Sequence, residues 1–243
     1  MKFYLITKYQ DQAPLVDQYL SKIGEVVPSI SDCDVIVSVG GDGTLLTNGK
    51  LAIANDKPIV GINAGHLGYL SAFKIEELAS LTLETFKNLK ETKRTLLEYD
   101  GHVAINDICV LKENPCQSIE VQAGNLAFWK GDGVIVSTAT GSTAYNQAAG
   151  GPILDSLSED FVVTPICPHF SKIGYKIIKD NQIILYVSNR KGAVLSVDNQ
   201  NLGHIEGEVL IKKSEKKLRL LAKSMMRNQL FGSFFIKLID KNL

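Results

Sequence analysis

The pattern of apolar and polar positions changes character partway along the chain. Up to about Arg94, short β-prone runs alternate with segments of helical period. Phe3 to Ile6 is a strand candidate. Val35 to Val39 (VIVSV) is a run dominated by β-branched residues, the signature of a strand buried on both faces, and Ile59 to Ile62 is another strand candidate. Thr44 to Asn55 between them reads as a helix with Thr44 at its N-cap. Ile75, Leu78, Ala79, Leu83 and Phe86 recur at helical spacing and predict one helix over Ile75 to Leu89. Strand, helix, strand in this order predicts βαβ connections and a parallel sheet.

From Thr95 onward the pattern is mostly strands and turns. Asp100-Gly101 between two β-like runs signals a hairpin, and Gly124-Asn125 and Asn199 to Gly203 read as further turns. Strands are predicted at Ile119–Ala123, Val134–Ser137, Ile183–Val187, Ala193–Val197, Val209–Lys212 and Leu218–Lys223. Ser142 to Ala149 is the exception, a helix stopped by Gly150-Gly151-Pro152. The expected fold is an α/β domain with a parallel sheet over residues 1–94, then a mainly β, sandwich-like domain over 95–225. The apolar tail, 226–243, is expected to rejoin the first domain.

Charge narrows the possible functions. Lys plus Arg and Asp plus Glu both number 26, so the basic excess of a nucleic-acid binder is missing. The four cysteines form no CxxC and no zinc-like spacing with histidine. Cys33 and Cys109 sit beside apolar runs as small core residues, which suits a reducing cytosol. Residues 1–10 carry no signal-peptide core, and no apolar run approaches the roughly 20 residues of a membrane helix. A soluble cytoplasmic protein is expected.

Four clusters carry candidate chemistry. Gly40-Gly41-Asp42-Gly43-Thr44 lies between the VIVSV strand and a helix. Glycines there let the backbone approach an anion, and the helix N-terminus offers free N–H groups. Neither the GxGxxG fingerprint nor the P-loop fits: Leu46 stands where the former needs glycine, and Gly43 to Gly49 is one residue too long for the latter. A carboxylate inside a phosphate cradle asks for a reason. It can serve as a general base, hold Mg²⁺, or simply cap the helix in a tight turn. The second cluster, Gly61-Ile62-Asn63-Ala64-Gly65-His66-Leu67-Gly68-Tyr69-Leu70, follows the next strand and so falls on the same carboxyl edge of the sheet, where open α/β sheets bind ligands. His66 is either a phosphate partner or an ordinary loop histidine. Asn106-Asp107 offers donors and acceptors for vicinal ribose hydroxyls, or an ordinary turn. Lys130-Gly131-Asp132-Gly133, then Thr138 to Asn146 (TATGSTAYN), combines a strand, a small-residue turn and a helix start, with room for a planar base beside Tyr145.

GGDGT, GINAGHLGYL, AINDICVLK and GDGVIVSTATGSTAYNQAAGGPIL, in this order and spacing, closely resemble the NAD kinases over nearly the whole chain. GGDGT alone is shared with diacylglycerol and sphingosine kinases. The resemblance implies a phosphotransferase that moves a phosphoryl group from ATP or polyphosphate to the 2′-hydroxyl of NAD, giving NADP. It implies Asp42 as catalytic base and Gly40, Gly41, Gly43 and Thr44 as the phosphate-donor loop. It implies that Gly41, Gly43, Leu67, Gly68 and Tyr69 run along NAD, that Asn106 and Asp107 hold ribose hydroxyls, and that Thr143, Ala144 and Tyr145 line the base pockets. Asp132 matches an acidic residue that reaches the nicotinamide, often across a subunit contact. Mg²⁺ or another divalent cation and a homo-oligomer, dimer or tetramer, complete the expectation. The chain departs from the family at Asp107, where Glu is usual, at Ala148, where Ser is frequent, and at Val197-Asp198-Asn199, which replaces an Asp-Gly turn. The Arg-Pro that commonly follows the Pro-His segment (Pro165 to Phe170 here) is also missing. The competing readings are a lipid kinase, which would lack the TGSTAY block, and a nucleotide-binding sensor without turnover.

Overall fold

The computed structural model describes residues 1–65, 68–169, 174–188 and 192–223. The chain divides into two compact units: Met1–Thr92 together with the chain from Arg219, and Lys93–Leu218 between them. Among the described residues no helix is long and apolar enough to cross a membrane.

The first unit is built from β1 (Lys2–Thr7), α1 (Ala13–Ile23), β2 (Glu25–Val26), β3 (Val35–Val39), α2 (Asp42–Ala54), β4 (Ile59–Asn63), β5 (Phe73–Lys74) and α3 (Leu83–Lys87). The strands pair in parallel in the order β2-β1-β3-β4, and the edge of β4 away from β3 is taken by β5 at Ile62–Asn63 and by Leu220 of the returning chain at Ile59, both also parallel. All five residues of both β3 and β4 are buried, as predominantly apolar runs require of a sheet covered on both faces; Ser38 and Asn63 are the buried polar members. Phe3, Val16, Leu20, Val37, Val60, Ile62, Phe73 and Phe86 share one core. Gly61 is small for a packing reason: a β-carbon there would meet Leu45 of α2 at 2.5 Å and the Ser71 backbone at 2.9 Å.

Two helix expectations change. Helix α2 starts at Asp42 with Gly41 at the N-cap, so Thr44 sits inside the first turn rather than capping it. The single helix expected over 75–89 is a 3₁₀ turn, Ile75–Ser80, followed by α3. Leu81 and Thr82 are extended at the break, and the Thr82 hydroxyl accepts the Thr85 N–H at 3.2 Å, capping a new start. Helical spacing of apolar residues survives such a break because both pieces bury the same side.

The second unit contains β6 (Lys90–Tyr99, beginning just before it), β7 (His102–Ala104), β8 (Asp107–Lys112), β9 (Ile119–Ala123), β10 (Ala127–Gly131), β11 (Gly133–Ser137), α4 (Tyr145–Ala148), β12 (Phe161–Ile166), β13 (Lys176–Ile178), β14 (Gln182–Ser188), β15 (Ala193–Val197), β16 (Gln200–His204) and β17 (Gly207–Ala222), whose end passes back into the first unit. Six strands form an antiparallel sheet in the order β13-β12-β11-β8-β15-β16. Strands β10-β9-β14-β17 form a second antiparallel set. Val110, Val134, Val136, Val163 and Leu195 from the first set and Val121, Trp129, Leu185 and Ile211 from the second fill one core, which is a β-sandwich. The Trp129 indole N–H is satisfied inside it by the Gly133 carbonyl at 3.0 Å.

Asp100 and Gly101 both take positive φ and turn β6 into β7, as their hairpin signal predicts. The Asn199–Gly203 turn is corrected: the turn is Asp198-Asn199 and Gln200–His204 is a strand. Val209–Lys212 and Leu218–Lys223 belong, up to Ala222 where it ends, to one 16-residue strand, whose polar middle, Lys212 to Lys217, hides the continuity. The helix expected over 142–149 is a 3₁₀ turn, Gly141–Thr143, then α4, broken at Ala144 (φ −96°, ψ −127°). The tail, 226–243, lies outside the described residues.

Candidate active site

In the first unit the chemistry gathers at the carboxyl ends of β3 and β4. The chain leaves β3 through Gly40, at φ 153°, and enters α2 at Asp42. Gly40 is required there: a β-carbon would meet the Thr44 hydroxyl at 2.5 Å. The Asp42 carboxylate reaches the loop after β4, where it accepts the Tyr69 N–H at 2.8 Å and the Leu70 N–H at 3.3 Å. Gly68 makes this approach possible, since a β-carbon on it would overlap the Asp42 carboxylate. Asn63, ending β4, lies in the same corner, its side chain accepting the Gly65 N–H at 2.7 Å. The two glycine loops are thus joined through one carboxylate held by one amide on each oxygen. Each oxygen keeps a lone pair, so the group remains competent to accept a proton. Gly40, Gly41, Asp42, Gly43, Thr44, Gly68 and Tyr69 come together here; His66 and Leu67 lie outside the described residues.

In the second unit the Asn106-Asp107 corner and the TATGSTAY block meet. The Asn106 carbonyl accepts the Thr138 N–H at 2.8 Å, and the Thr138 hydroxyl donates to the Ile105 carbonyl at 2.7 Å while accepting the Gly141 N–H at 2.9 Å. Gly141 lies against the Asn106 backbone so closely that no side chain fits there. Asn146 is fully buried and ties the block to its surroundings: it donates to the carbonyls of Ser142 (3.1 Å) and Pro152 (2.9 Å) and accepts the Thr164 hydroxyl at 2.6 Å. Ala144 and Thr143 are half-buried, and the Tyr145 ring is exposed and open to stacking.

The electrostatics single out Asp107. Burial pushes its carboxyl up to about 6; the Cys109 thiol, donating at 3.3 Å, works against this, and the nearby Asp198 charge adds to it. Burial, followed by the Asp107 charge, pushes the Cys109 thiol far up, so it is a donor and no nucleophile. Partial burial raises the Tyr145 phenol, with smaller effects from Cys109, Cys167, Asp107 and Asp132 around it. Asp132 itself is paired with Lys112 at 2.7 Å in its own unit.

Three residues that carry no individual role in the sequence reading build this cluster. Thr138 and Asn146 look like ordinary members of a polar turn, yet each holds several backbone groups. Asp198 is the third: its carboxylate accepts from the N–H groups of Ile105, Asn106 and Asp107. The available signal was its place in a two-residue Asp-Asn hairpin turn between β-runs.

No cluster of three or more His, Cys, Asp or Glu side chains able to hold a metal occurs among the described residues.

Comparison with known proteins bears on both clusters. Residues 8–89 match the ATP-NAD kinase N-terminal domain and residues 105–222 the ATP-NAD kinase C-terminal domain. An NAD kinase of Chlorobium phaeobacteroides (strain BS1) is 36% identical over 208 residues, covering 78% of this chain and 72% of that protein. One from Sulfurimonas denitrificans is 32% identical over 238 residues, 90% and 84% of the two chains. The crystal structure of an NAD kinase from Archaeoglobus fulgidus in complex with ATP superposes with a TM-score of 0.80 at 26% identity, covering 96% of this chain and 98% of that one. Yeast NADH kinase complexed with NADH, 22% identical with a TM-score of 0.78 over 96% and 88% of the two chains, shares the fold. With both domain models matched in order and such relatives over most of its length, this chain belongs to the NAD kinase family.

Proposed function

We infer that the protein is an NAD kinase, transferring the terminal phosphoryl group of ATP to the 2′-hydroxyl of the adenosine ribose of NAD to give NADP. The observation that carries this reading is the Asp42 carboxylate, set in the GGDGT turn and held by the Tyr69 and Leu70 amides. A base fixed by two backbone bonds is oriented before substrate arrives, which is where positioning-dominated phosphoryl transfer gains its rate. In this account Asp42 orients the 2′-hydroxyl and takes its proton as the oxygen attacks the γ-phosphorus; ADP leaves. Gly40, Gly41, Gly43 and Thr44 supply the turn whose amides face the donor phosphates. Asn106 and Asp107 take the ribose hydroxyls, and Thr143, Ala144 and Tyr145 the bases. The family's Asn-Glu pair is here Asn-Asp, one methylene shorter. The recessed Asp107 is consistent with a closer ribose.

The donor set fits a Mg²⁺ ion brought in with the triphosphate, since Mg²⁺ is usually bound through one or two carboxylates plus substrate phosphates. Asp42 is the carboxylate in the loop that would share it. When bound, the ion neutralises charge on the donor phosphates.

A homo-oligomer and a cytoplasmic location belong to the same proposal. Four unpaired cysteines suit a reducing compartment. Phe128 and Tyr186 flank Gln122 on one exposed row of the second unit, an apolar surface suited to a second copy. Light scattering of the purified protein, expected above the monomer mass of 26.6 kDa, decides the assembly.

The activity is tested by incubating purified protein with ATP, Mg²⁺ and either NAD or diacylglycerol. NADP is the expected product. Phosphatidic acid instead, or nucleotide binding with neither product, would replace this reading by the lipid kinase or the sensor.

A further inference from the structure

We propose that Asp198 is a positioning residue for nucleotide recognition, its carboxylate gathering three successive backbone N–H groups and so setting where Asn106 and Asp107 present their side chains to the ribose. The inference rests on the function proposed above for that pair. Oδ1 of Asp198 accepts from Asn106 at 2.8 Å and Asp107 at 3.3 Å, and Oδ2 from Ile105 at 3.1 Å. The connection is returned by the Asp198 N–H, which donates to the Asp107 carbonyl at 2.8 Å. Three consecutive amides converging on one anion form a nest, here closed by a side chain of the chain itself. Bonds to an ionised acceptor are about twice as strong as neutral ones, so this one residue over-determines the corner between β7 and β8.

The topology explains why residue 198 can do this. Val197 pairs with Ile108 on β8, so the turn beyond β15 ends beside Asp107. Val197 also pairs with Gln200 of β16, leaving Asp198-Asn199 as a two-residue loop with Asp198 at φ 52°. Asp tolerates that left-handed conformation better than most residues, which places a short carboxylate at the corner. Thr138 serves the carbonyl side of the same corner, its hydroxyl donating to the Ile105 carbonyl and accepting the Gly141 N–H, so the N–H side falls to Asp198.

A carboxylate that merely satisfied a turn would affect folding and every ligand alike. One that sets the ribose contacts acts on NAD alone, through Asn106 and Asp107. The test is calorimetric binding of NAD and, separately, of ATP with Mg²⁺ to the full chain, which needs no turnover. Asp198→Ala is expected to raise the Kd for NAD about tenfold and leave that for ATP unchanged. Asp198→Asn, which keeps one acceptor oxygen, should fall between it and wild type. Asn106→Ala combined with Asp198→Ala should bind NAD no more than about twofold more weakly than the worse single variant, because both remove the same contact. Wild-type affinity for NAD in Asp198→Ala overturns the proposal, as does equal loss of NAD and ATP, or full additivity in the double variant. Should Asp198→Ala fail to fold, wild-type NAD affinity in folded Asp198→Asn overturns it. Wild-type protein that binds NAD yet forms no NADP contradicts the kinase reading while leaving the Asp198 comparison intact; wild-type protein that binds no NAD removes both.

Discussion

Asp107 shows how one burial decision sets a pH dependence. Its carboxyl titrates at about 6 instead of 3.8, chiefly because it is desolvated. The folded chain therefore holds a proton there that the unfolded chain has released. The corresponding stability is present below about pH 4 and is lost as pH rises through about 6. Ligand binding runs the other way, because the ionised carboxylate is the better acceptor for ribose hydroxyls. Affinity for NAD should rise with pH through an inflection near 6, and titrating kcat/KM for NAD against pH should show that step. In Asp107→Asn the inflection should vanish. The Cys109 thiol and the Asp198 carboxylate are the charged or titratable neighbours that act on this carboxyl. At Asn146, fully buried, the expectation concerns stability: Asn146→Ala leaves two carbonyls and the Thr164 hydroxyl without partners and should cost about 2–3 kcal/mol in denaturant unfolding. An unchanged midpoint would show that water replaces the amide.

At the scale of elements, the strand-turn-helix unit around Asp42 works because of a residue in the next loop. Gly68 leaves the space into which the Asp42 carboxylate fits. Gly68→Ala should displace that carboxylate and lower kcat by roughly 10- to 100-fold, the usual penalty for misplacing a catalytic group by about 1 Å. Far-UV circular dichroism should stay as in wild type; full kcat in the variant would show that the carboxylate needs no such seat. The elements that could be read from the chain are those whose pattern has one physical cause. VIVSV is apolar at four of five positions because both faces are covered, its one hydroxyl, Ser38, being satisfied by the Asn48 amide, and the Asp100-Gly101 hairpin needs residues that accept positive φ. Breaks inside an amphipathic stretch leave no such mark. Leu81-Thr82 and Ala144 interrupt helices without disturbing the spacing of apolar residues. In β17 the reverse holds: a run of lysines and Glu215 obscures one continuous strand.

Across the whole molecule, each unit has its own core and its own cluster of polar chemistry. Motifs that place functional groups directly, GGDGT and TGSTAY, are visible in the sequence because the chemistry is in the residues named. The residues that hold those groups in place were not visible: Asp198 acts on a corner 91 to 93 positions away, and only the pairing of β15 with β8 makes them neighbours. The division of labour predicts separable kinetics. Asn106→Ala should raise KM for NAD with little change in kcat, a loss of binding, whereas a change at Asp42 should fall on kcat. The most direct test of the central claim is single-turnover NADP formation by Asp42→Asn beside its affinity for NAD. The account predicts a rate lower by roughly 10²–10⁴ with NAD still bound at near wild-type affinity; turnover close to wild type would contradict it.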